Sequence, residues 1–369
     1  MTLMPSPERV ALVDSAERMV RERYDYASLR SVLASADGYS RARWQEFAEL
    51  GWLAVPLAEA DGGLGLAPAV ASALVAALGP AAMSEPLPGQ LALAGYLLGQ
   101  ARATPRRDAV LARWLAGESL LALVEPAAPP GIVAAPAHGD AVLDGHADAV
   151  LDAGLADMLI VGARQADGAA VYYLVDACAE GVTRRAQRAA DGRDFAAVEL
   201  RGVCAAGSER LELTAAARDA AQAYFALLLA SESLGIMHAL VRLTAGHLAQ
   251  REQFGRRLID FQELQHRLVD MQLETVRAES MLEVARHHCD DGGPGAGAPM
   301  ISAALYQAAR SGRRVAEEAV QLHGAIGMTE ELVVGHYLKR IIANAIIGGH
   351  AETHLERAAG ARGISPPSL

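Results

Sequence analysis

The sequence predicts a mainly α protein with a middle β domain. Hydrophobic residues make up 52% of the 369 residues but aromatic residues only 5%, so the core is built from Ala, Leu and Val, which favours closely packed helices. Short apolar runs separated by Gly, Asp and Pro occupy the middle of the chain, and the longest helical patterns follow them. We expect an N-terminal helical domain over 1–118, a β barrel or sandwich over 119–213, and a C-terminal four-helix bundle over 214–369.

Helix signals dominate the first third of the chain. Ser6 can cap a helix whose first residue is Pro7, which predicts a helix from Glu8 to Arg23. Further helices are predicted over Arg41–Leu50, Pro68–Leu78, Pro88–Gln100 and Pro105–Ala116. A turn-rich stretch of Asp, Gly and Leu separates the first two of these.

The middle and final thirds differ in their periodicity. Strands are predicted from the apolar runs Leu120–Val124, Met158–Val161, Ala170–Val175 and Ala197–Leu200. Beyond Thr214 the apolar residues alternate spacings of three and four, as the seam of a helix bundle requires: Phe261, Leu264, Leu268, Met271, Thr275, Ala278, Leu282 and Ala285. The stretch Asp290–Pro299 is predicted to be a flexible connection to a helix over Met300–Leu322.

Several classes of protein are disfavoured. The net charge is −11 and the arginines are scattered, which argues against nucleic-acid binding. Cys178, Cys204 and Cys289 lie far apart and share no metal-ligand spacing, so we expect no metal site and a reduced, cytoplasmic protein. Residues 1–20 do not resemble a signal peptide. Ala223–Val241 is apolar but interrupted by polar residues, which indicates a buried bundle helix and no membrane span.

The stretch REQFGRRLIDFQELQHRLVDM, beginning at Arg251, stands out. A helix ends there, breaks at Phe254-Gly255 and restarts near Phe261, so Arg251 and Gln253 lie at a corner between helices. An arginine fork at such a corner can bind two phosphate oxygens, and Gln253 offers a donor and an acceptor. The same residues also suit a salt-bridged helix end that is capped by glycine.

This stretch resembles the signature of acyl-CoA dehydrogenases, flavoenzymes that introduce an α,β double bond into acyl-CoA thioesters. The sequence ELGWLAVPLAEADGGLGL resembles the N-terminal helical domain of the same family, and the α, β, α order agrees. A second segment, QLHGAIGMT from Gln321, resembles the family segment that contacts a neighbouring subunit's flavin nucleotide, although alone it would suit a helix C-cap.

The resemblance implies residues that bind the FAD of a partner subunit. In the first segment they are Arg251, Gln253, Phe254, Phe261 and Gln262, and in the second they are Gln321, Gly324, Ala325 and Gly327. Glycines allow a backbone to approach a cofactor closely, and Gln321 can hydrogen-bond it.

The chain departs from the family where a subunit holds its own flavin. The family has a Thr-Glu-Pro segment and a Gly-Ser-rich loop, but this chain has Val124-Glu125-Pro126 followed by a proline-containing loop that ends at Pro130. Prolines have no N–H to donate. A Trp-Ile-Thr-like strand of the family corresponds to Ala149-Val150-Leu151, which has neither the aromatic ring nor the hydroxyl.

The family's catalytic base is also missing. A carboxylate must remove the Cα proton while the flavin accepts a hydride from Cβ. One family position for it corresponds to Gly348-Gly349 and the other to Phe225-Ala226. Glu352 is the carboxylate close to the first position, where it serves as a candidate base or as a solvated residue in the first turn of the last helix. His350 and His354 flank it and are more often structural in such a turn.

We therefore predict the non-catalytic subunit of a heteromeric acyl-CoA dehydrogenase, a type known for steroid side-chain and dicarboxylic acyl-CoA substrates. Its expected partners are a homologous subunit, acyl-CoA and, as the family implies, an electron-transfer flavoprotein. One alternative is a homo-oligomeric acyl-CoA dehydrogenase that uses Glu352 or water as its base. Another is a flavin-free assembly protein, which retention of Arg251 with Gln253 disfavours.

Overall fold

A computed structural model describes residues 6–125, 131–137, 139–361 and 363. It confirms the predicted fold class, because helices precede and follow a single β segment. The described residues form two compact units. One contains the N-terminal residues up to Ser31, Ala67–Met83 and the residues from Ala223 onward; the other contains Val32–Leu66 and Ser84–Gln222. The bounds 1–118, 119–213 and 214–369 mark changes of secondary structure and stay predictions as domains.

The first third is helical, and the cap predicted at Ser6 is present. Ser6 Oγ accepts from Arg9 N at the start of the first helix, and Thr104 Oγ1 does the same for Arg107 N. The helices are α1 Pro7–Arg23, α2 Tyr26–Leu33, α3 Arg41–Glu49, α4 Pro68–Leu78, α5 Leu87–Gly89, α6 Leu97–Gly99 and α7 Pro105–Leu115. Sequence patterns did not predict α2.

The predicted helix over Pro88–Gln100 is irregular in the structure. A π-helical segment, Gln90–Tyr96, joins α5 to α6. Gln90 is buried there, and its side chain accepts from Trp114 Nε1 at 3.1 Å and donates to Leu121 O at 2.6 Å. The amide of Gln90 therefore fixes the first residue of the β segment against the helices of the same unit.

The β segment forms one sheet of eight strands. Its strands are β1 Leu121–Val124, β2 Val133–Ala137, β3 Asp140–Leu151, β4 Met158–Arg164, β5 Ala170–Asp176, β6 Val182–Arg188, β7 Asp194–Ala205 and β8 Arg210–Leu211. The order is β6-β7-β3-β2-β4-β5-β8, with β1 parallel to β4. In the described residues the edge strands β6 and β8 do not pair, so hydrogen bonds do not close the sheet into a barrel.

The last third contains α8 Ala215–Gln250, α9 Gln262–His323, α10 Val334–Ile347 and α11 Ala351–Gly360. The prediction of a connection between two helices over Asp290–Pro299 is partly correct. Two helical segments, both within α9, meet at a kink at Gly293, whose φ of 75° suits glycine, and the ion pair Arg267–Glu318 shows that the second segment folds back along the first. The connection is confined to this kink and is shorter than predicted. Pro294 and Gly297 are buried, so this bend is packed against the protein.

Helix α8 has the length and apolar composition of a membrane span, but most of that stretch is buried inside the protein, as in the core helix of a folded domain. Among the described residues, no group of three or more His, Cys, Asp or Glu could hold a metal ion.

A buried ion pair joins α8 to α10. Arg340 Nε donates to Glu232 Oε1 at 3.0 Å, and both side chains are 2% exposed. Asn344 Nδ2 donates to Glu232 Oε2 at 2.9 Å, and Arg340 Nη2 donates to Met83 O at 2.6 Å. The charges are thus paired and hydrogen-bonded at several atoms, as buried charges must be.

Changing Arg340 to Met is expected to lower the free energy of unfolding by about 3–5 kcal/mol, because Glu232 stays buried without its cation. The matched control is Arg313→Met, which removes an exposed pair with Glu317 on the surface of α9 and should cost less than about 0.5 kcal/mol. Urea unfolding followed by circular dichroism measures both. Equal losses in the two variants would contradict a role for burial of the pair.

Candidate functional site

The predicted break after Arg251 is a tight hairpin. Strand β9, Glu252–Gln253, pairs with β10, Arg256–Arg257, and the two residues between them have φ values of 56° for Phe254 and 77° for Gly255. Positive φ at both central residues is the two-residue hairpin turn whose twist matches that of its strands. The corner predicted between two helices is therefore a hairpin, followed by α9 from Gln262.

The side chains of this hairpin face solvent. Arg251, Gln253 and Gln262 are exposed. The Arg251 backbone N–H donates to His247 O at 2.9 Å and its carbonyl accepts from Leu258 N at 2.8 Å. Within the described residues the guanidinium of Arg251 makes no hydrogen bond or ion pair. Its backbone is fixed while all five of its N–H donors are available to another molecule.

Aromatic rings stiffen the hairpin tip. Phe254 is 90% exposed, and its ring lies edge-to-face with Phe261 at 6.3 Å between centroids. The guanidinium of Arg256 lies over the Phe261 ring at 3.8 Å, a favourable cation–π geometry. Such an exposed aromatic side chain offers a flat apolar face beside the cation of Arg251.

The second predicted segment begins at the end of α9. Gln321, Gly324 and Ala325 are exposed, and Gly324 has a φ of 69° that caps the helix. A short turn, Gly324–Met328, follows. Gly327 is different because it is buried, and a Cβ there would lie 2.9 Å from Val320 O. Packing within the chain therefore favours glycine at position 327.

Two histidine rings bring the segments together. The rings of His247 in α8 and His323 in α9 are stacked with centroids 4.5 Å apart. Each ring lies next to one segment, since His247 is four residues before Arg251 and His323 immediately precedes Gly324. Sequence analysis missed this pair. Its only sequence signals were His247, four residues before the first segment, and His323, inside the second.

The positions where a subunit would hold its own flavin lie in the β segment. Val124 is fully buried in β1 and has no hydroxyl. Ala149 is exposed, with a φ of 51°, at a bulge where β3 pairs with β7. Glu125 accepts from Gln222, and burial raises the pKa of its carboxyl. The loop over 126–130, with its prolines, lies outside the described residues.

The two positions that the resemblance assigns to a catalytic base are Gly348-Gly349 and Phe225-Ala226. A Cβ placed on Gly348 would lie 2.7 Å from Leu305 Cδ2 and 3.1 Å from Leu229 Cδ1. Gly349 has a φ of 107°, and a Cβ there would lie 2.9 Å from Nε2 of His354. At the other position, Phe225 and Ala226 are each 3% exposed. A larger side chain at Gly348 or Gly349 would therefore displace its neighbours, and a carboxylate at Phe225 or Ala226 would be buried.

Glu352 lies in the first turn of α11 and is exposed. His350 is also exposed, whereas His354 is buried, with Nδ1 3.1 Å from Ser302 Oγ and Nε2 2.7 Å from Gly348 O. Burial lowers the pKa of His354. His354 connects α11 to the end of α10 at Gly348 and to Ser302 of α9, which is a structural role.

Comparison with known proteins identifies the class. The family description "Acyl-CoA dehydrogenase, N-terminal domain" matches residues 6–104, and "Acyl-CoA dehydrogenase, C-terminal domain" matches residues 216–362. This chain belongs to the acyl-CoA dehydrogenase family, FAD-dependent oxidoreductases that act on CH–CH groups.

Among similar proteins, the acyl-CoA dehydrogenase IpdE2 of Mycobacterium tuberculosis is 27% identical over 346 residues, covering 93% of each chain. The IpdE2 of Mycolicibacterium smegmatis is 34% identical over 134 residues, covering 36% of this chain and 40% of that protein. A solved variant of the Tcur3481-Tcur3483 steroid ACAD superposes with a TM-score of 0.85 at 27% identity, covering 96% of this chain and 98% of that one. The ChsE4-ChsE5 complex from Mycobacterium tuberculosis has the same fold, with a TM-score of 0.90 at 21% identity over 99% of this chain and 100% of that chain.

The exposed polar residues of the last third suit FAD binding, whereas Val124 in the β segment does not. The exposed donors of Arg251, Gln253, Gln262 and Gln321 fit a phosphate-bearing cofactor, since an arginine fork binds two phosphate oxygens at once. The buried methyl groups of Val124 offer no hydrogen bond to a flavin.

Introducing a carboxylate at Gly348 is expected to destabilise the chain. Gly348→Glu should lower the free energy of unfolding by about 1–3 kcal/mol through overpacking against Leu305 and Leu229. The control is Gly360→Glu near the end of α11, where a Cβ meets nothing within 4 Å and no destabilisation is expected. Thermal unfolding compares the two. A Gly348→Glu variant as stable as the wild type would show that the position has room for a base.

Proposed function

We propose that this chain is the flavin-completing, non-catalytic subunit of a heteromeric acyl-CoA dehydrogenase. The observation that carries the proposal is a contrast within one compact unit: the Arg251 guanidinium is exposed without a partner in the described residues, while Gly348 is closed by Leu305 and Leu229. The chain has donors to offer another subunit's cofactor and has no carboxylate at either base position.

Each proposed contact uses a group that the chain leaves available. Arg251 would bind the pyrophosphate charge, and Gln253, Gln262 and Gln321 would hydrogen-bond the nucleotide. Phe254 and Phe261 would provide apolar contact, and the backbone from Gly324 through Ala325 would approach the cofactor closely. Gly327 would support this segment from within. FAD, when bound, accepts a hydride from Cβ of the acyl chain.

The removal of the Cα proton falls to the partner subunit in this proposal. Gly348 and Phe225 provide no base, and Glu352 is exposed on α11 with no contact that directs it toward either position. The solved Tcur3481-Tcur3483 steroid ACAD is named for two components, which supports a heteromeric assembly. It also makes a steroid-derived acyl-CoA the first substrate to test. We further propose a cytoplasmic location and an electron-transfer flavoprotein as acceptor, because the family resemblance implies them.

The flavin content of the purified chain tests the proposal. Alone, the chain is expected to be colourless. Two copies would bring together two donor faces, each made of Arg251, Gln253, Gln262 and the Gln321–Gly327 segment, but no β segment with an intact flavin site. With a homologous subunit that has a Thr-Glu-Pro segment and a glutamate at the position of Gly348, one FAD per heterodimer is expected. Absorbance after denaturation gives both ratios. One tightly held FAD per isolated chain would favour the homo-oligomeric alternative, and no FAD in either preparation would favour the flavin-free assembly protein.

Changing Arg251 to Ala in the assembled heteromer should weaken FAD binding by about 1.5–3 kcal/mol, because it removes charge-assisted hydrogen bonds to phosphate. Arg113→Ala, which removes an exposed arginine of α7, is the control and should leave FAD affinity unchanged. Fluorescence titration of the apo-heteromer with FAD measures the difference. Unchanged affinity in the Arg251 variant, with assembly intact, would rule out its role at the partner's cofactor.

A further inference from the structure

The histidine stack connects the two segments of the proposed donor face. Arg251 lies one helical turn after His247, and its N–H donates to His247 O at 2.9 Å. Gly324 follows His323, and its N–H bonds back to the last carbonyls of α9. Each ring thus lies beside a short, hydrogen-bonded stretch of backbone that continues into one of the two segments.

The ion pair Arg267–Glu318 connects the beginning of α9 to its end, so it relates Gln262 to Gln321. The stack of His247 on His323 is a direct side-chain contact between the end of α8 and the end of α9. It therefore relates the position of Arg251 to that of Gln321.

The charge of the His247 ring decides how well it stacks on His323. His323 is buried, and its Nδ1 lies 2.8 Å from Ala319 O, so Nδ1–H donates to that carbonyl. An uncharged His247 ring can stack on it, whereas an imidazolium at His247 would be partly removed from water and close to the Arg251 cation. The charged or titratable groups that act on His247 are His323 from α9 and Arg251 at the hairpin, and both are unfavourable neighbours for a cation.

We propose that His247 and His323 are positioning residues that hold Arg251 and the Gln321–Gly327 segment as one face only while the His247 ring is uncharged. The idea rests on the proposed function, since that face matters through the partner's FAD. Burial, with His323 and Arg251, lowers the pKa of His247 from its ordinary value of 6.5. A histidine whose pKa is depressed in the stacked state stabilises that state above pH 6.5, and the stabilisation is lost as the pH falls below this value.

Hydrogen exchange of the chain alone tests the stack without partner or FAD. Peptides covering 251–258 and 321–328 are compared at pH 7.5 and pH 5.5 after correction for intrinsic exchange rates. The wild type should lose protection in both peptides at pH 5.5. His247→Phe keeps an aromatic ring but cannot be protonated, so it should retain protection. His238→Phe, an exchange elsewhere on α8, should follow the wild type. Equal losses in His247→Phe and the wild type would overturn the proposal.

FAD titration of the heteromer gives a second measurement. Below the pKa of His247, the FAD dissociation constant of the wild type should rise by up to about tenfold per pH unit for one linked proton. The His247→Phe heteromer should show a smaller slope, and the same slope in both would contradict the positioning role. Arg251→Ala at pH 7.5 separates the two ideas: if it leaves FAD affinity unchanged, the proposed function fails, while the hydrogen-exchange result on the isolated chain still decides the stack.

Discussion

The buried pair of Glu232 and Arg340 is the constraint on which the last third of the structure depends. Two charges that are removed from water require a close partner and further hydrogen bonds. Asn344 and the carbonyl of Met83 provide these bonds, so α8, α10 and the residues after α4 are fixed together. Asn344 lies one turn before Gly348. Gly348 ends α10, and an added Cβ there would meet Leu229 of α8.

The proposed donor face is exposed to solvent, unlike the buried pair of Glu232 and Arg340. A hairpin with two residues of positive φ returns the chain from α8 to α9 in a few residues, and it leaves the side chains of Arg251 and Gln253 in solvent. Exposed arginines contribute little to folding stability, so this face is held mainly by its backbone hydrogen bonds and neighbouring rings. Phe254 and the stack of His247 on His323 fix its shape while its hydrogen-bonding groups remain available.

Local sequence signals predicted much of the fold because they act over a few residues. The cap at Ser6 begins a helix as predicted, and the strand-like runs in the middle of the chain all lie in one sheet. Glycine and proline in Asp290–Pro299 predicted a break between two helices. The break is a kink at Gly293 between the two helical segments of α9, and it is shorter than predicted because the helix resumes at once with the buried Pro294 and Gly297. The contacts of Glu232 with Arg340 and of His247 with His323 join residues far apart in sequence, and no local pattern reveals them.

The sequence predicted the candidate site only in part, because it does not show which residues the fold exposes or buries. The resemblance identified Arg251 and Gln321, but their exposure and the closure of Gly348 depend on the folded chain. These two properties have different consequences for the chemistry. An exposed donor face can contribute to a site whose remainder comes from another chain, since its groups need no rearrangement to bind. At Gly348 an added side chain would meet Leu305 and Leu229, whereas Glu352 is exposed on α11. In the proposed function, the exposure of Arg251 and the packing at Gly348 together account for a division between flavin binding in this chain and proton removal in its partner.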